Sequence, residues 1–158
     1  MGIDIGLDAP DFTLSDAVGR DTSLKDFAGM WVVLYFYPKD DTPGCTTEAC
    51  EFTSSIKDFM GLKAKVVGVS RDSAESHRKF IEKYNLEVTL LSDPEHKVTE
   101  QYGAWGKKTS YGKETMGVIR STIIIDPKGN IAYCWANVTA KGHAEEVKKK
   151  LEELQAKK

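Results

Sequence analysis

The chain of 158 residues is 41% hydrophobic and 29% charged, and its 22 basic and 24 acidic residues leave a formal charge of −2. A chain of this size can bury one sizeable core, so we expect a single domain spanning residues 1–158. The near balance of charge leaves no excess of basic residues of the kind that binds nucleic acid. No apolar run approaches the roughly 20 residues that a membrane span needs. The first residues lack the features of a signal peptide, and three is an odd number of cysteines for a structural disulfide framework. We therefore expect a cytoplasmic protein in which any disulfide is transient and chemical.

The first strongly patterned segment is WVVLYFY, Trp31–Tyr37. Its β-branched and aromatic residues predict a central strand buried on both faces, and Pro38 ends it. Thr42 and Pro43 form a typical N-cap and N1 pair, and apolar residues then recur at helical spacing up to position 61. This spacing predicts one amphipathic helix of about four turns.

The remaining elements alternate between strand and helix, an order that predicts an α/β protein with a thioredoxin-like fold, in which helices flank a central mixed sheet, with an insertion. They are an extended segment at Asp11–Leu14, a strand at Lys65–Ser70, a helix at Ser73–Asn85, a strand at Val88–Leu91, a helix at Pro94–Tyr102, a Gly- and Lys-rich loop at Gly103–Gly117, two strands at Val118–Asp126 and Ile131–Val138 joined by a DPKGN turn, and a helix at Ala144–Gln155.

The predicted start of the first helix places Cys45 near position N3, where free backbone N–H groups and the helix dipole favour an anion. Keeping a cysteine mostly ionised near neutral pH takes roughly 3 kcal/mol, whereas a helix end contributes about 0.3 to 1 kcal/mol. Further donors are needed, and the hydroxyls of Thr42 and Thr46 are nearby in the sequence. A cation is needed as well: Arg120, on a strand expected beside Trp31–Tyr37, is the first candidate, and Lys39 is the second.

Each of these residues also has an ordinary structural interpretation. A cysteine at a helix start is commonly inert, and an arginine in a strand is commonly solvated. Cys50 lies beside the apolar stripe of its helix and could equally be a residue at the edge of the core. Cys134, between two aromatic residues on a strand, is predicted to be structural. The histidines lack the spacing of metal ligands and are predicted to lie at the surface or to cap helices: His77, His96 and His143.

The segment FYPKDDTPGCTTEACEF, Phe36 to Phe52, closely resembles the active-site segment of the peroxiredoxins of the bacterioferritin comigratory protein, or peroxiredoxin Q, subfamily. Its core is the family pattern P-x-x-x-T-x-x-C. The resemblance extends over nearly the whole chain, through GLDAPDFTL, GVSRDS, LLSDPEHKV and IRSTIIIDPKG, and implies the peroxiredoxin variant of the thioredoxin-like fold. It implies these roles: Cys45 as the peroxidatic cysteine, Thr42 as the hydroxyl that orients peroxide, Pro38 as a shield against solvent, Arg120 as the stabiliser of thiolate and transition state, and Cys50 as the resolving cysteine.

The resemblance also implies the chemistry. A Cys45 thiolate attacks hydrogen peroxide or an organic hydroperoxide and becomes a sulfenic acid, and Cys50 condenses with it within the same chain. Thioredoxin, glutaredoxin or a similar dithiol protein reduces the disulfide. No haem, flavin or metal cofactor is implied, and the subfamily favours a monomer or a weak homodimer.

Three other enzyme or binding classes fit the sequence poorly. A disulfide reductase would display W-C-x-x-C, and a cysteine phosphatase would need an arginine where Glu51 stands. A zinc site would need a second pair of ligands beside Cys45 and Cys50. A redox sensor or chaperone stays open and could coexist with peroxidase activity.

Overall fold

A computed structural model describes residues 3–110 and 112–157 of the chain. Its strands are β1 (Thr13–Asp16), β2 (Asp21–Ser23), β3 (Trp31–Phe36), β4 (Ala64–Ser70), β5 (Thr89–Ser92), β6 (Trp105–Ser110), β7 (Lys113–Val118), β8 (Ser121–Ile125) and β9 (Ile131–Trp135). Its helices are α1 (Pro43–Ser54), α2 (Ile56–Gly61), α3 (Ala74–Tyr84), α4 (Lys97–Gln101) and α5 (His143–Ala156). None of the helices in these two ranges is both long enough and apolar enough to cross a bilayer.

The central sheet has seven strands in the order β2-β1-β5-β4-β3-β8-β9. Strand β3 runs parallel to β4 and antiparallel to β8, so the sheet is mixed, as the sequence predicts. Every residue of β3 is buried, because successive side chains alternate between two apolar cores. Val33 and Tyr35 pack in one core with residues of α1 and α5, whereas Leu34 and Phe36 pack in the other. The thioredoxin-like fold class is confirmed.

The prediction of one continuous helix up to position 61 is wrong. Helix α1 ends at Ser54, and Ser55, with φ −100° and ψ 8°, separates it from α2. Three hydroxyl residues meet at this point, and such side chains favour local hydrogen bonds over a regular helix. The Thr53 hydroxyl, for example, accepts a hydrogen bond of 3.1 Å from the backbone N–H of Glu87.

The prediction of a loop at Gly103–Gly117 is also wrong, because most of this segment is the antiparallel hairpin β6–β7. The turn uses Gly112 at φ +77°, a conformation that glycine adopts without strain; Tyr111 lies outside the described residues. Lysines and small residues hide the alternation that normally identifies a strand.

The predicted strand Val118–Asp126 is interrupted. Val118 belongs to the hairpin, and β8 begins only at Ser121, which pairs with Phe36 at the end of β3. Arg120 therefore lies just before β8, beside the loop that follows β3. This position brings a residue from the second half of the chain to the beginning of α1.

Candidate active site

Helix α1 begins as the sequence predicts, with Thr42 as the N-cap, Pro43 at N1 and Cys45 at N3. Thr42 has the extended backbone of an N-cap, with φ −103° and ψ 156°. Its carbonyl accepts the first hydrogen bond of the helix, from the N–H of Thr46 at 2.8 Å. The Cys45 side chain is 1% exposed. A buried thiol thus lies in the first turn, where the dipole favours a negative charge.

Arg120 joins two buried acidic groups of α1. Its Nη2 donates to the Sγ of Cys45 at 3.2 Å, and its Nη1 donates to Oε1 of Glu48 at 2.6 Å. Glu48 is 1% exposed and lies three residues after Cys45, on the same face of the helix. The guanidinium is partly buried, so its charge acts on both groups with little screening.

The cation that the thiolate needs is therefore available from Arg120. Lys39, the second candidate, has an exposed side chain. The Thr42 hydroxyl does not donate to Cys45 but to the carbonyl of Lys39, at 2.9 Å. This arrangement leaves the oxygen of Thr42 able to accept a hydrogen bond. Pro38 directly follows the buried Tyr37 and begins the loop that leads to Thr42.

Glu48 was missed by the sequence analysis. Burial raises its pKa to about 7, although the neighbouring guanidinium of Arg120 acts in the opposite direction. Its Oε2 is buried and has no hydrogen-bond partner among the described residues, and the same holds for the hydroxyl of Tyr35 on β3. A signal was present in the sequence: Glu48 lies on the apolar face of α1, next to Ala49 and one turn before Phe52.

The three cysteines lie in different environments, and none of them is joined in a disulfide in this structure. Cys45 and Cys50 are on the same helix, and Cys50 is half-buried at the edge of the core that also contains Phe52. Cys134 packs against the opposite core, from β9. Burial raises the pKa of the Cys134 thiol, which makes it a poor nucleophile.

The loop between β3 and α1 is fixed by a buried carboxylate, Asp40. It accepts hydrogen bonds from the Tyr37 hydroxyl at 2.5 Å and from the Ser76 hydroxyl at 2.8 Å, and it lies 2.7 Å from Nδ1 of His77. Nε2 of His77 donates to the carbonyl of Leu91 at 3.0 Å. The predicted surface position of His77 is therefore wrong.

His143 is buried as well, which also contradicts the sequence-based prediction, whereas His96 occupies the N-cap position of α4. His143 contacts Thr122 of β8 through Nε2, at 2.8 Å. Next to it, the N–H of Gly142 donates to the carboxylate of Glu51 at 2.9 Å. These contacts fix the beginning of α5 against β8 and against the second half of α1.

The comparisons with known proteins agree with this geometry. The AhpC/TSA family profile matches residues 5–134. Peroxiredoxin Bcp of Bacillus subtilis is 47% identical over 157 residues, covering 99% of this chain and 100% of its own, and a putative peroxiredoxin bcp of Helicobacter pylori is 50% identical over 145 residues, covering 92% and 95%.

A solved structure of the Xanthomonas campestris bacterioferritin comigratory protein, studied for its alkyl peroxide reduction activity, superposes with a TM-score of 0.88 at 38% identity. The match covers 95% of this chain and 98% of that one. Residues 3–110 and 112–157 contain no cluster of three or more His, Cys, Asp or Glu side chains able to hold a metal ion. The chain belongs to the AhpC/TSA family and is a peroxiredoxin of the bacterioferritin comigratory protein, or peroxiredoxin Q, group: a thiol-dependent peroxidase.

Proposed function

We propose that Cys45 is the peroxidatic cysteine of this enzyme and that Arg120 stabilises both its thiolate and the transition state. The observation that carries this assignment is the 3.2 Å hydrogen bond from Arg120 Nη2 to Cys45 Sγ at the N-terminus of α1. A charge-assisted hydrogen bond contributes about 1.5 to 3 kcal/mol, which supplies most of what the helix dipole lacks.

Thr42 and Pro38 complete the proposed site. The Thr42 oxygen, whose hydrogen is donated to Lys39, can accept a hydrogen bond from the peroxide and so orient it towards Cys45. Pro38 shields the thiolate from water. When the thiolate attacks the terminal oxygen of the peroxide, the O–O bond breaks and Cys45 becomes a sulfenic acid.

Cys50 is the proposed resolving cysteine, and its position on α1 means that the helix must change before a disulfide with Cys45 can form. Five residues of regular helix separate Cα atoms by about 8 to 9 Å, whereas a disulfide requires about 4.4 to 6.8 Å. The disulfide cannot form while Pro43–Ser54 remains one helix. We therefore expect residues 43–50 to unwind after Cys45 is oxidised, while Phe52, which is fully buried, stays in the core.

The substrates we propose are hydrogen peroxide and organic hydroperoxides, supported by the alkyl peroxide reduction of the Xanthomonas relative. Thioredoxin, or alternatively glutaredoxin, is the proposed reductant of the disulfide. We also propose a cytoplasmic monomer or weak homodimer. The continuous central sheet supports a single domain for residues 1–158.

The test is steady-state turnover of hydrogen peroxide and cumene hydroperoxide, crossed with thioredoxin and glutaredoxin systems. Peptide mass mapping of the oxidised protein should find Cys45 joined to Cys50. In an assay with thioredoxin or glutaredoxin as the reductant, a Cys50→Ser variant should consume one equivalent of peroxide and then stop. A disulfide that includes Cys134, or full turnover by the Ser variant, would contradict the proposed resolution step.

A further inference from the structure

Two buried acidic groups share one cation in the proposed active site. Cys45 and Glu48 are each 1% exposed, and each accepts one hydrogen bond from the guanidinium of Arg120. If both groups were ionised, the buried cluster would carry a net charge of −1. A single proton on either group makes the cluster neutral, which a buried environment favours. The thiol and the carboxyl group therefore compete for the charge of a single guanidinium.

The surroundings of Glu48 favour the proton on the carboxyl group when Cys45 is ionised. Burial raises the pKa of Glu48 to about 7, with a smaller contribution from Glu51, while Arg120 lowers it. The titratable and charged groups around this cluster are Cys45 and Glu51 on α1, Arg120 before β8, Tyr35 on β3, and His143 on α5, which faces Arg120 and Glu51. Arg120 is the one permanent cation among them.

One oxygen of Glu48 is free to hold that proton. Oε1 is occupied by Arg120, whereas Oε2 is buried and has no partner among the described residues. A buried polar atom without a partner is uncommon in proteins and commonly indicates a catalytic role or an unseen small molecule such as water. A protonated Oε2 is a hydrogen-bond donor on the residue one helical turn after Cys45, beside the same guanidinium.

We propose that Glu48 acts as a general base and then as a general acid: it takes the proton of the Cys45 thiol and gives it to the leaving oxygen of the peroxide. This inference rests on the proposed attack of Cys45 on peroxide. In the first step the thiol proton passes to the Glu48 carboxylate, giving a thiolate and a carboxylic acid.

In the second step the thiolate forms a bond to the terminal oxygen and the O–O bond breaks. The leaving alkoxide takes the Glu48 proton and departs as an alcohol. Sulfur is oxidised and the peroxide is reduced by the same two electrons, and Glu48 returns to its carboxylate form without any further reactant.

The alternative is that Glu48 only positions Arg120. Two peroxides whose leaving groups differ in basicity distinguish these possibilities. An alkyl hydroperoxide expels an alkoxide, a strong base that needs a proton as it leaves. Peracetic acid expels acetate, which is stable without a proton at neutral pH because carboxylic acids have a pKa near 4. Without the Glu48 carboxylate the thiol can lose its proton to solvent, because the charge of Arg120 is then available to the thiolate alone. Loss of the proton donor should therefore slow only the first substrate, whereas misplacement of Arg120 should slow both.

The test measures the rate constant for oxidation of reduced Cys45 in Glu48→Gln, with cumene hydroperoxide and with peracetic acid. Glutamine keeps the size of Glu48 and an oxygen for Arg120 but cannot donate a proton to a leaving group. General acid catalysis contributes typically 10² to 10⁴-fold, so we expect the cumene hydroperoxide rate to fall about 100-fold or more while the peracetic acid rate changes by less than about threefold. The matched control is Glu51→Gln, the same change on the same helix at a residue that bonds to Gly142, and it should leave the ratio of the two rates unchanged.

An equal loss with both peroxides, or no loss with either, would overturn the inference. If Glu48→Gln does not fold, the wild-type protein decides the question: a normal solvent deuterium isotope effect with cumene hydroperoxide and none with peracetic acid is expected, and equal effects would contradict a proton transfer in the first case alone. Failure of the proposed function would look different, because wild-type Cys45 would then not be oxidised by either peroxide.

Discussion

Arg120 is 75 residues from Cys45 in the chain, yet its Nη2 donates a hydrogen bond of 3.2 Å to the Cys45 Sγ. The contact depends on the register of β3 and β8, because Ser121 pairs with Phe36 and so places Arg120 beside the loop before α1. The position of the guanidinium beside the thiol is thus tied to the pairing of two central strands. Variants of Arg120 should reveal this dependence.

Arg120→Ala should slow the oxidation of Cys45 by hydrogen peroxide by about 100-fold or more, as expected for loss of a donor aimed at developing charge. Alkylation of Cys45 by iodoacetamide near neutral pH should slow as well. Lysine at this position should restore only part of the rate, because it lacks the planar fork that reaches two acceptors. Stopped-flow measurements on the three proteins provide the check, and an Ala variant with wild-type alkylation and oxidation rates would assign the cation to another residue.

Cys45→Ser should abolish peroxidase activity while keeping the fold, because serine suits the first turn of a helix. Cys134→Ser, the matched control, should retain nearly full turnover and lose a modest amount of stability, since Cys134 packs against the opposite core. Peroxide consumption and thermal unfolding measure the two effects. Substantial turnover in the Cys45 variant would contradict the assignment, and a large loss of activity in a stable Cys134 variant would show that Cys134 takes part in the reaction.

The buried contact between His77 and Asp40 should stabilise the active-site loop. His77→Leu leaves the Asp40 carboxylate in the core without one of its hydrogen-bond partners, a change that typically costs about 1.5 to 3 kcal/mol. The control is Lys83→Met, which removes an exposed ion pair of 2.8 Å with the adjacent Asp41 and should leave stability nearly unchanged. Urea unfolding of the two variants gives the comparison, and similar midpoints would mean that the buried pair contributes little.

Glu48 should make stability depend on pH. Burial raises its pKa from 4.5 to about 7, so the folded protein binds this proton more tightly than the unfolded chain. Its contribution to the free energy of unfolding is complete below pH 4.5 and is lost as the pH rises through 7. At about 1.36 kcal/mol per pKa unit the loss is about 3 kcal/mol.

Other groups titrate in the same range, so the measurement is a difference. Burial lowers the pKa of His143, which makes stability rise with pH. Urea unfolding of Cys45→Ser and of Cys45→Ser/Glu48→Gln at about pH 5 and about pH 8 isolates Glu48, because all other groups are common to both proteins. The Gln variant should lose less stability between these two conditions, and identical slopes would show that Glu48 has an ordinary pKa.

The local sequence was sufficient to predict the features that depend on neighbouring residues. Thr42 and Pro43 identified the start of α1, and the apolar run at Trp31–Tyr37 identified the central strand. The position of Arg120 near Cys45 could be predicted because the strand that contains it was expected beside Trp31–Tyr37.

The features that were missed depend on partners far along the chain. The helical spacing places Glu48 on the apolar face of α1 but does not reveal its partner Arg120, 72 residues later, and His77 likewise meets Asp40 from 37 residues away. A charged side chain is buried only when such a partner is present, and spacing within one helix cannot show that. The β6–β7 hairpin was missed for a different reason, since its lysines remove the alternation that identifies a strand.

Helix α1 should open only in part during the catalytic cycle. In the first two turns, residues 43–50, the buried side chains are the small Ala49 and the two partners of Arg120, Cys45 and Glu48. Oxidation of Cys45 alters one of these contacts, and the other side chains of the two turns are exposed or half-buried. The following turn is different, because Phe52 stacks on Tyr35 at 4.9 Å and Glu51 accepts a hydrogen bond from Gly142 at 2.9 Å. Unwinding should therefore stop at this boundary, since segments with few buried contacts open most easily.

Hydrogen exchange on the reduced and oxidised protein tests this boundary. The amides of residues 46–50, which are hydrogen-bonded within the helix, should be protected in the reduced enzyme and should lose protection on oxidation, whereas those of residues 53–61 should keep it. Cys50→Ser is the matched control, because it can form the sulfenic acid but not the disulfide. Loss of protection in this variant would indicate that oxidation of Cys45 alone opens the helix, and protection that persists until the disulfide forms would indicate that the bond traps a rare open state. Unchanged protection in a wild-type protein with a demonstrated Cys45–Cys50 disulfide would contradict the account, because a regular helix keeps these two Cα atoms about 8 to 9 Å apart.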